Sequence, residues 1–209
     1  ATAGVVAIGA SVAVGKFEGA TTATLGASVH SGADSVEVSA TDDSLANAWS
    51  RAGSAGVVAG SGSVATAEVT SKVTAEIGDL ADVDATGDVD VLATSRASTK
   101  ADAIGINIGA GAVGASVATA NSGAKVHAEV GENASITGKS FDLIAKRDVK
   151  GGAPTAQAYA LGAAGGLLLG ANATVATAKS TGETVSAVGT GSTITTIGAG
   201  IAAVKAEST

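Results

Sequence analysis

The chain offers few side chains able to do chemistry. It has two histidines, His30 and His127, and no cysteine, so thiol catalysis and disulfides are excluded. Five carboxylates cluster at Asp79, Asp82, Asp84, Asp88 and Asp90. Alternate carboxylates on a strand can share one face and ligate a hard cation such as Ca²⁺ through oxygen. That makes Asp79, Asp82 and Asp84 the candidate ligands. The Gly-Gly-x-Gly-x-Asp pattern of calcium-binding nonapeptide repeats is absent, however. The segment reads first as a solvated acidic face that keeps a sheet from aggregating, and no cofactor is expected. Arg51, Arg96 and Arg147 lie 45 and 51 residues apart, without the clustered Asp, Lys and Arg that a polysaccharide lyase would need. Trp49 and Tyr159 are the only large aromatics with a polar tip. Such rings either cover a core edge or, when exposed, stack on sugars or partner proteins.

Composition narrows what must position these groups. Aromatic residues make up 2% of the chain and methionine is absent, while hydrophobic content is 45% and there are 30 glycines. The apolar fraction is nearly all Ala, Val, Ile and Leu. It suits a thin core between closely spaced layers, not the bulky centre of a sphere. A net charge of −7 disfavours nucleic acid, which requires clustered Lys and Arg. The most apolar stretch, Ala101 to Ala120, alternates like a strand and carries four glycines, so no membrane span is expected there.

The strongest signal is an internal repeat. Val12, Val64, Val117 and Val175 are spaced by 52, 53 and 58 residues. Gly26, Gly78, Gly131 and Gly189 have the same spacings, always 14 residues after the valine. The four copies read GASVAVGKFEGATTATLG, SGSVATAEVTSKVTAEIG, GASVATANSGAKVHAEVG and NATVATAKSTGETVSAVG. His127 matches Thr22, Thr74 and Val185, positions unsuited to a conserved catalytic or ligand role, and both histidines read as surface residues. Units of about 52 residues are expected at roughly 1–52, 53–105, 106–162 and 163–209. The abrupt first and last copies suggest an array that is part of a longer chain.

Each unit contains a first strand apolar on both faces. Val6, Ile8, Val12 and Val14 lie on one face. The other is small: Ser11, Ser63, Ser116 and Thr174 form a hydroxyl column, followed by Ala13, Ala65, Ala118 and Ala176. A strand without a wet face is normally covered on both sides, so a second layer is expected over the hydroxyl column. A second strand alternates cleanly: Val36, Val38, Val89, Val91, Phe141 and Leu143 point one way, and Glu37, Asp90 and Asp142 the other. The third segment (41–56, 94–105, 146–162) is polar and varies in length, with Gly151, Gly152 and Pro154 marking a turn. It reads as an exposed connection, with room for one more strand. The high alanine content makes helix the competing reading; period-2 alternation, Val, Thr and frequent Gly favour strand.

The expected fold is therefore all-β, a repetitive parallel β-solenoid. The stretches Val-Thr-Ala-Glu-Ile-Gly (73–78) and Val-His-Ala-Glu-Val-Gly-Glu-Asn-Ala (126–134), repeated across nearly the whole chain, resemble the repeats of giant bacterial surface exoproteins. These are the leukotoxin-type filamentous adhesins and their filamentous-haemagglutinin-like relatives. The resemblance implies a shaft exported to the cell surface for adhesion or matrix building, with no catalytic residues to carry over. The expected role is a structural module of an extracellular bacterial fibre that associates with itself. The alternative is an adhesin segment that binds a receptor or host glycan through the segments bearing Trp49 and Tyr159.

Overall fold

A computed structural model describes residues 1–26, 32–149 and 155–208. His30, Gly151, Gly152 and Pro154 lie outside the described residues. The protein is all-β, with 0% helix and 81% strand, so the alanines serve strands. Among the described residues, fourteen strands form three parallel sheets. The largest sheet, curled into a half-barrel, contains β1 (Thr2–Leu25), β4 (Leu45–Ile77), β7 (Ser98–Ser122), β8 (Lys125–Val130), β11 (Ala156–Ser180) and β12 (Glu183–Val188). A second sheet holds β3 (Val36–Asp42), β6 (Val89–Ser95), β10 (Phe141–Arg147) and β14 (Ala202–Ser208). A third holds the short strands β2 (Gly32–Ala33), β5 (Asp82–Ala85), β9 (Ser135–Gly138) and β13 (Thr193–Thr196).

Pairing follows the repeat. Val12 lies beside Val64, Val64 beside Val117, and Val117 beside Val175. Ser11, Ser63, Ser116 and Thr174 form a second such row. Gly78 follows β4, Gly131 follows β8 and Gly189 follows β12, and their amides donate to the carbonyls of Leu25, Ile77 and Val130, at 2.8, 2.7 and 2.7 Å.

Of the two readings of the polar third segment, the further strand is the one found, and in β4 and β7 every second residue of it is buried, not exposed. Residues 45–56, 98–105 and 156–162 are the opening stretches of β4, β7 and β11. Small residues at every second position explain the difference: Ala46, Ala48 and Ser50, and their counterparts Thr99, Ala101 and Ala103, are all buried. Polar and charged residues alternate with them, which masks the strand in a composition-based reading. Each long strand then doubles back, so its opening stretch covers its own later stretch. Ser63 Oγ donates to the Ser50 carbonyl at 2.9 Å, and Ser50 Oγ donates to the Ser11 carbonyl at 2.8 Å. The layer over the hydroxyl column thus comes from the same chain. A Cβ on Gly105 would lie 2.8 Å from Ser116 Oγ, so glycine lets the layers meet there without moving that hydroxyl.

The expectation that both faces of the first strand are covered fails on the aliphatic side. Val6, Val12 and Val14 are exposed, and Ile8 is 76% exposed. Only small side chains fit between the doubled layers, so the branched ones point outward.

Two cores result. Between the doubled layers lie Ala46, Ala48, Ala65, Ala67, Ala101, Ala103, Ala118 and Ala120, with Val69. Where the long strands meet the other two sheets, the space is wider and holds Val73, Ile77, Val83, Val91, Ile136, Phe141 and Leu143. At the corners after Gly78, Gly131 and Gly189, Leu80, Asn133 and Gly191 have φ of 57°, 54° and 77°. This left-handed conformation is natural for Gly and tolerable for Asn, but costs other L-residues about 1–2 kcal/mol.

Two stability outcomes follow. Ala118→Leu should destabilise the protein by about 1–3 kcal/mol in urea unfolding, because the alanine layer has no room for added methylenes. A neutral result would mean the layers separate easily. Leu80→Asn should stabilise by up to about 1 kcal/mol in the same assay, since it relieves a left-handed Leu that is exposed and loses little packing.

Candidate functional site

On the opening stretches of β4, β7 and β11, register places outward-facing residues in rows. Asn47, Lys100 and Gln157 form one row. Trp49, Asp102 and Tyr159 form the next, and Arg51, Ile104 and Leu161 the third. Inward-facing residues between these rows are small and largely buried, so the grid rests on the alanine layer. The scaffold is therefore rigid strand, not loop.

Trp49 and Tyr159 flank Asp102 on neighbouring strands. At ~4.8 Å per strand, the two aromatic residues are about 9.6 Å apart along the stack. Trp49 is 65% exposed and Tyr159 51% exposed, so neither ring serves as a core cover. Between them is a cleft of about 240 Å³ lined by Trp49, Arg51, Asp102, Ile104 and Tyr159. Lys100 Nζ stands 3.5 Å from Asp102 Oδ2. The cleft thus combines two aromatic rings, one acceptor carboxylate and one cationic donor, Arg51, while Lys100 pairs with that carboxylate from the adjoining row.

Trp49 precedes Val64 by 15 residues and Tyr159 precedes Val175 by 16. The extra residue is a bulge in β11: Gly166 pairs with Gly109, but Leu169 with Gly111. Asp102 also precedes Val117 by 15 residues, so counting the same offset in the third copy would have found it. Arg51 and Ile104 would then follow as the i+2 neighbours of Trp49 and Asp102.

The other candidates are not gathered at this cleft. Asp79 Oδ1 accepts a hydrogen bond from the Glu132 amide at 2.7 Å, tying one corner to the next. Asp82 and Asp84 lie on β5, opposite Ser135 and Thr137. Among the described residues, no three His or carboxylate groups are grouped to hold a metal ion. His127 is partly buried, and its Nδ1 is 2.9 Å from Glu129 Oε1. Glu37, Asp90 and Asp142 form an outward row on the second sheet. Burial first, then the carboxylates of Asp142, Asp88 and Glu37, raises the Asp90 pKa above its ordinary value. Arg147 is buried at the end of β10, with Nη2 donating to Ser180 Oγ at 2.9 Å, and burial lowers its pKa. Among the described residues, no helix is long and apolar enough to cross a membrane.

A second surface feature lies where the long strands double back. Val57, Val58, Ile108 and Leu169 are exposed there, with Leu167 and Leu168 at 91% and 88% exposure. They border a shallow groove of about 660 Å³ floored by glycines and alanines.

Comparison of the chain with family models, with curated proteins and with solved structures finds no match in any of the three.

The chain has one tryptophan, so its fluorescence reports the cleft alone. Native protein should show the red-shifted emission of a hydrated indole, strongly quenched by acrylamide. Blue-shifted, protected emission would place Trp49 in a covered position.

Proposed function

We propose that the chain is a structural module of an extracellular or cell-surface bacterial fibre. In this reading it is a β-solenoid whose rungs are the units of about 52 residues. One observation carries the reading: in all three sheets, strands pair in parallel with their counterparts one repeat away. Such a stack extends by adding like units, each contacting only its neighbours. Burial agrees with this. Ala65 and Ala118, in the middle copies, are wholly buried, whereas Ala13 is half-buried and Ala176 exposed in the outer copies. The outermost strands therefore present edges and small-residue faces of the kind a further rung would cover.

The dimensions qualify the word shaft. Four rungs at ~4.8 Å stack to only about 19 Å, whereas the later stretch of β4, residues 57–77, would reach roughly 70 Å if straight. One chain is therefore a flat slab, and length arises only by adding rungs, from continuous chain or from further copies. The exposed Leu167–Leu168 ridge supports a second, lateral contact between copies, because apolar surface of this kind gains by burial. The likeness to surface exoprotein repeats supports placing the module outside the cell. The reading assigns the module no catalytic step.

Concentrated protein should assemble into filaments in negative-stain images. Their diffraction should show a spacing near 4.7 Å parallel to the filament axis. Compact, monodisperse particles at every concentration, or strands running along the axis, would count against the shaft.

A further inference from the structure

The geometry points to a carbohydrate-binding site in the Trp49–Asp102–Tyr159 cleft, taking one pyranose ring of a neutral glycan. The inference does not rest on the shaft reading, because the cleft is complete within one chain.

The chain has four aromatic residues. Phe141 is buried in the wide core, and Phe17 lies on β1. The two with polar tips occupy one outward row, separated by a single strand, and remain exposed. Leaving large rings in water forgoes the stabilisation of burial, which amounts to about 25 cal/mol per Å². The alanine layer beneath cannot accept them, but a ligand between them can.

The size selects a single ring. A volume of about 240 Å³ falls below the roughly 300–1,000 Å³ of sites for drug-sized ligands. Ring faces packed on either side of a ligand need about 3.5–4.0 Å each. That demand fits side chains rooted about 9.6 Å apart, two strand spacings. The C–H faces of a pyranose are apolar and pack on aromatic faces, while its rim of hydroxyls requires both donors and acceptors. Asp102 supplies the acceptor on the strand between the two rings and Arg51 supplies donors, while Lys100 pairs with the Asp102 carboxylate from the adjoining row.

Charge distinguishes this ligand from the main competitor. Two aromatics and a carboxylate can also cage a quaternary ammonium. Here Lys100 already sits 3.5 Å from the Asp102 carboxylate, and Arg51 lines the same cleft. A cationic ligand would meet two positive charges against one negative. A neutral, hydroxyl-rich ring meets no such penalty.

The test uses the whole chain. Trp49 fluorescence is titrated with soluble neutral oligosaccharides built from glucose, galactose, mannose or N-acetylglucosamine, and with choline as the cationic probe. At least one neutral series should give a saturable change. Isothermal titration with that series should then show a loss of roughly tenfold or more, about 1.4 kcal/mol, in Trp49→Ala and in Tyr159→Ala. Trp49→Phe should retain most of the affinity, and Asp102→Asn should weaken it. Leu167→Ser, on the distant ridge, should leave it unchanged. Circular dichroism of each variant separates lost binding from lost fold, and because both rings are exposed, the fold should persist. The proposal is overturned if no neutral series binds, if binding survives both alanine variants, or if choline binds and the sugars do not.

Discussion

Every residue in the paired strands has a neighbour about 4.8 Å away at the equivalent place in the next repeat. This in-register parallel pairing governs the rest of the fold. A side chain must be compatible with whatever the repeat places beside it, above and below. Inside the doubled layer that requirement is severe, and the columns are close to uniform: Ala13, Ala65, Ala118 and Ala176, or Ser11, Ser63, Ser116 and Thr174. One larger member would hold two layers apart in its own rung and disturb the rungs beside it. The narrow core is an outcome of stacking as much as of composition.

Charges obey the same constraint. Ion pairs run along strands, between i and i+2: Lys16 with Glu18 at 2.7 Å, Lys100 with Asp102 at 3.5 Å and Lys146 with Asp148 at 3.4 Å. Across strands the repeat tends to place like beside like, as with Lys72 and Lys125 or Glu76 and Glu129. Facing like charges are unfavourable, and at Asp90, flanked by Glu37 and Asp142, they add to burial, the larger cause, in raising the pKa. Some columns mix signs instead, such as Lys16, Glu68, Asn121 and Lys179. The variation between copies on the wet faces thus relieves repulsion that strict repetition would build in.

Two kinds of information in the sequence had different visibility. Alternation and repeat spacing are local or periodic, so the all-β class, the second strands and the pairing partners were legible from Val36, Val89, Phe141 and the anchor residues. The doubling of the long strand was not. It depends on which face of the small-residue strand is covered, and that face is chosen by layer separation, a tertiary property. Ser63 looked equally able to meet another molecule or its own chain, and Ser50 was hidden in a segment whose Asn, Trp and Arg suggested a connection. For the same reason Trp49 and Tyr159 were visible as residues but not as a pair, and Asp102 was not seen as their neighbour. The bulge between Gly166 and Leu169 offset the two aromatics by one residue and broke the count that would have joined them.

The division between inner and outer columns also bears on where a repeat protein of this kind can acquire specificity. Between the layers the residues are mostly Ala, Ser, Thr and Gly, with Val69 in the same core and Asn107, which accepts a hydrogen bond from Ser54 Oγ at 2.7 Å. Outward positions on the same strands face no such limit. In the grid over β4, β7 and β11, all nine residues differ within their rows: Asn, Lys and Gln; Trp, Asp and Tyr; Arg, Ile and Leu. A sheet that needs uniformity inside can carry a different surface on each strand. Side chains gathered from three paired strands then need no loop, because register alone sets their spacing. The cost is geometric: neighbours across the site come only in steps of one strand spacing, so ligands must match multiples of about 4.8 Å. A cleft two steps wide between aromatic rings is the narrowest that leaves a strand between them to furnish a polar base, and Asp102 occupies that place.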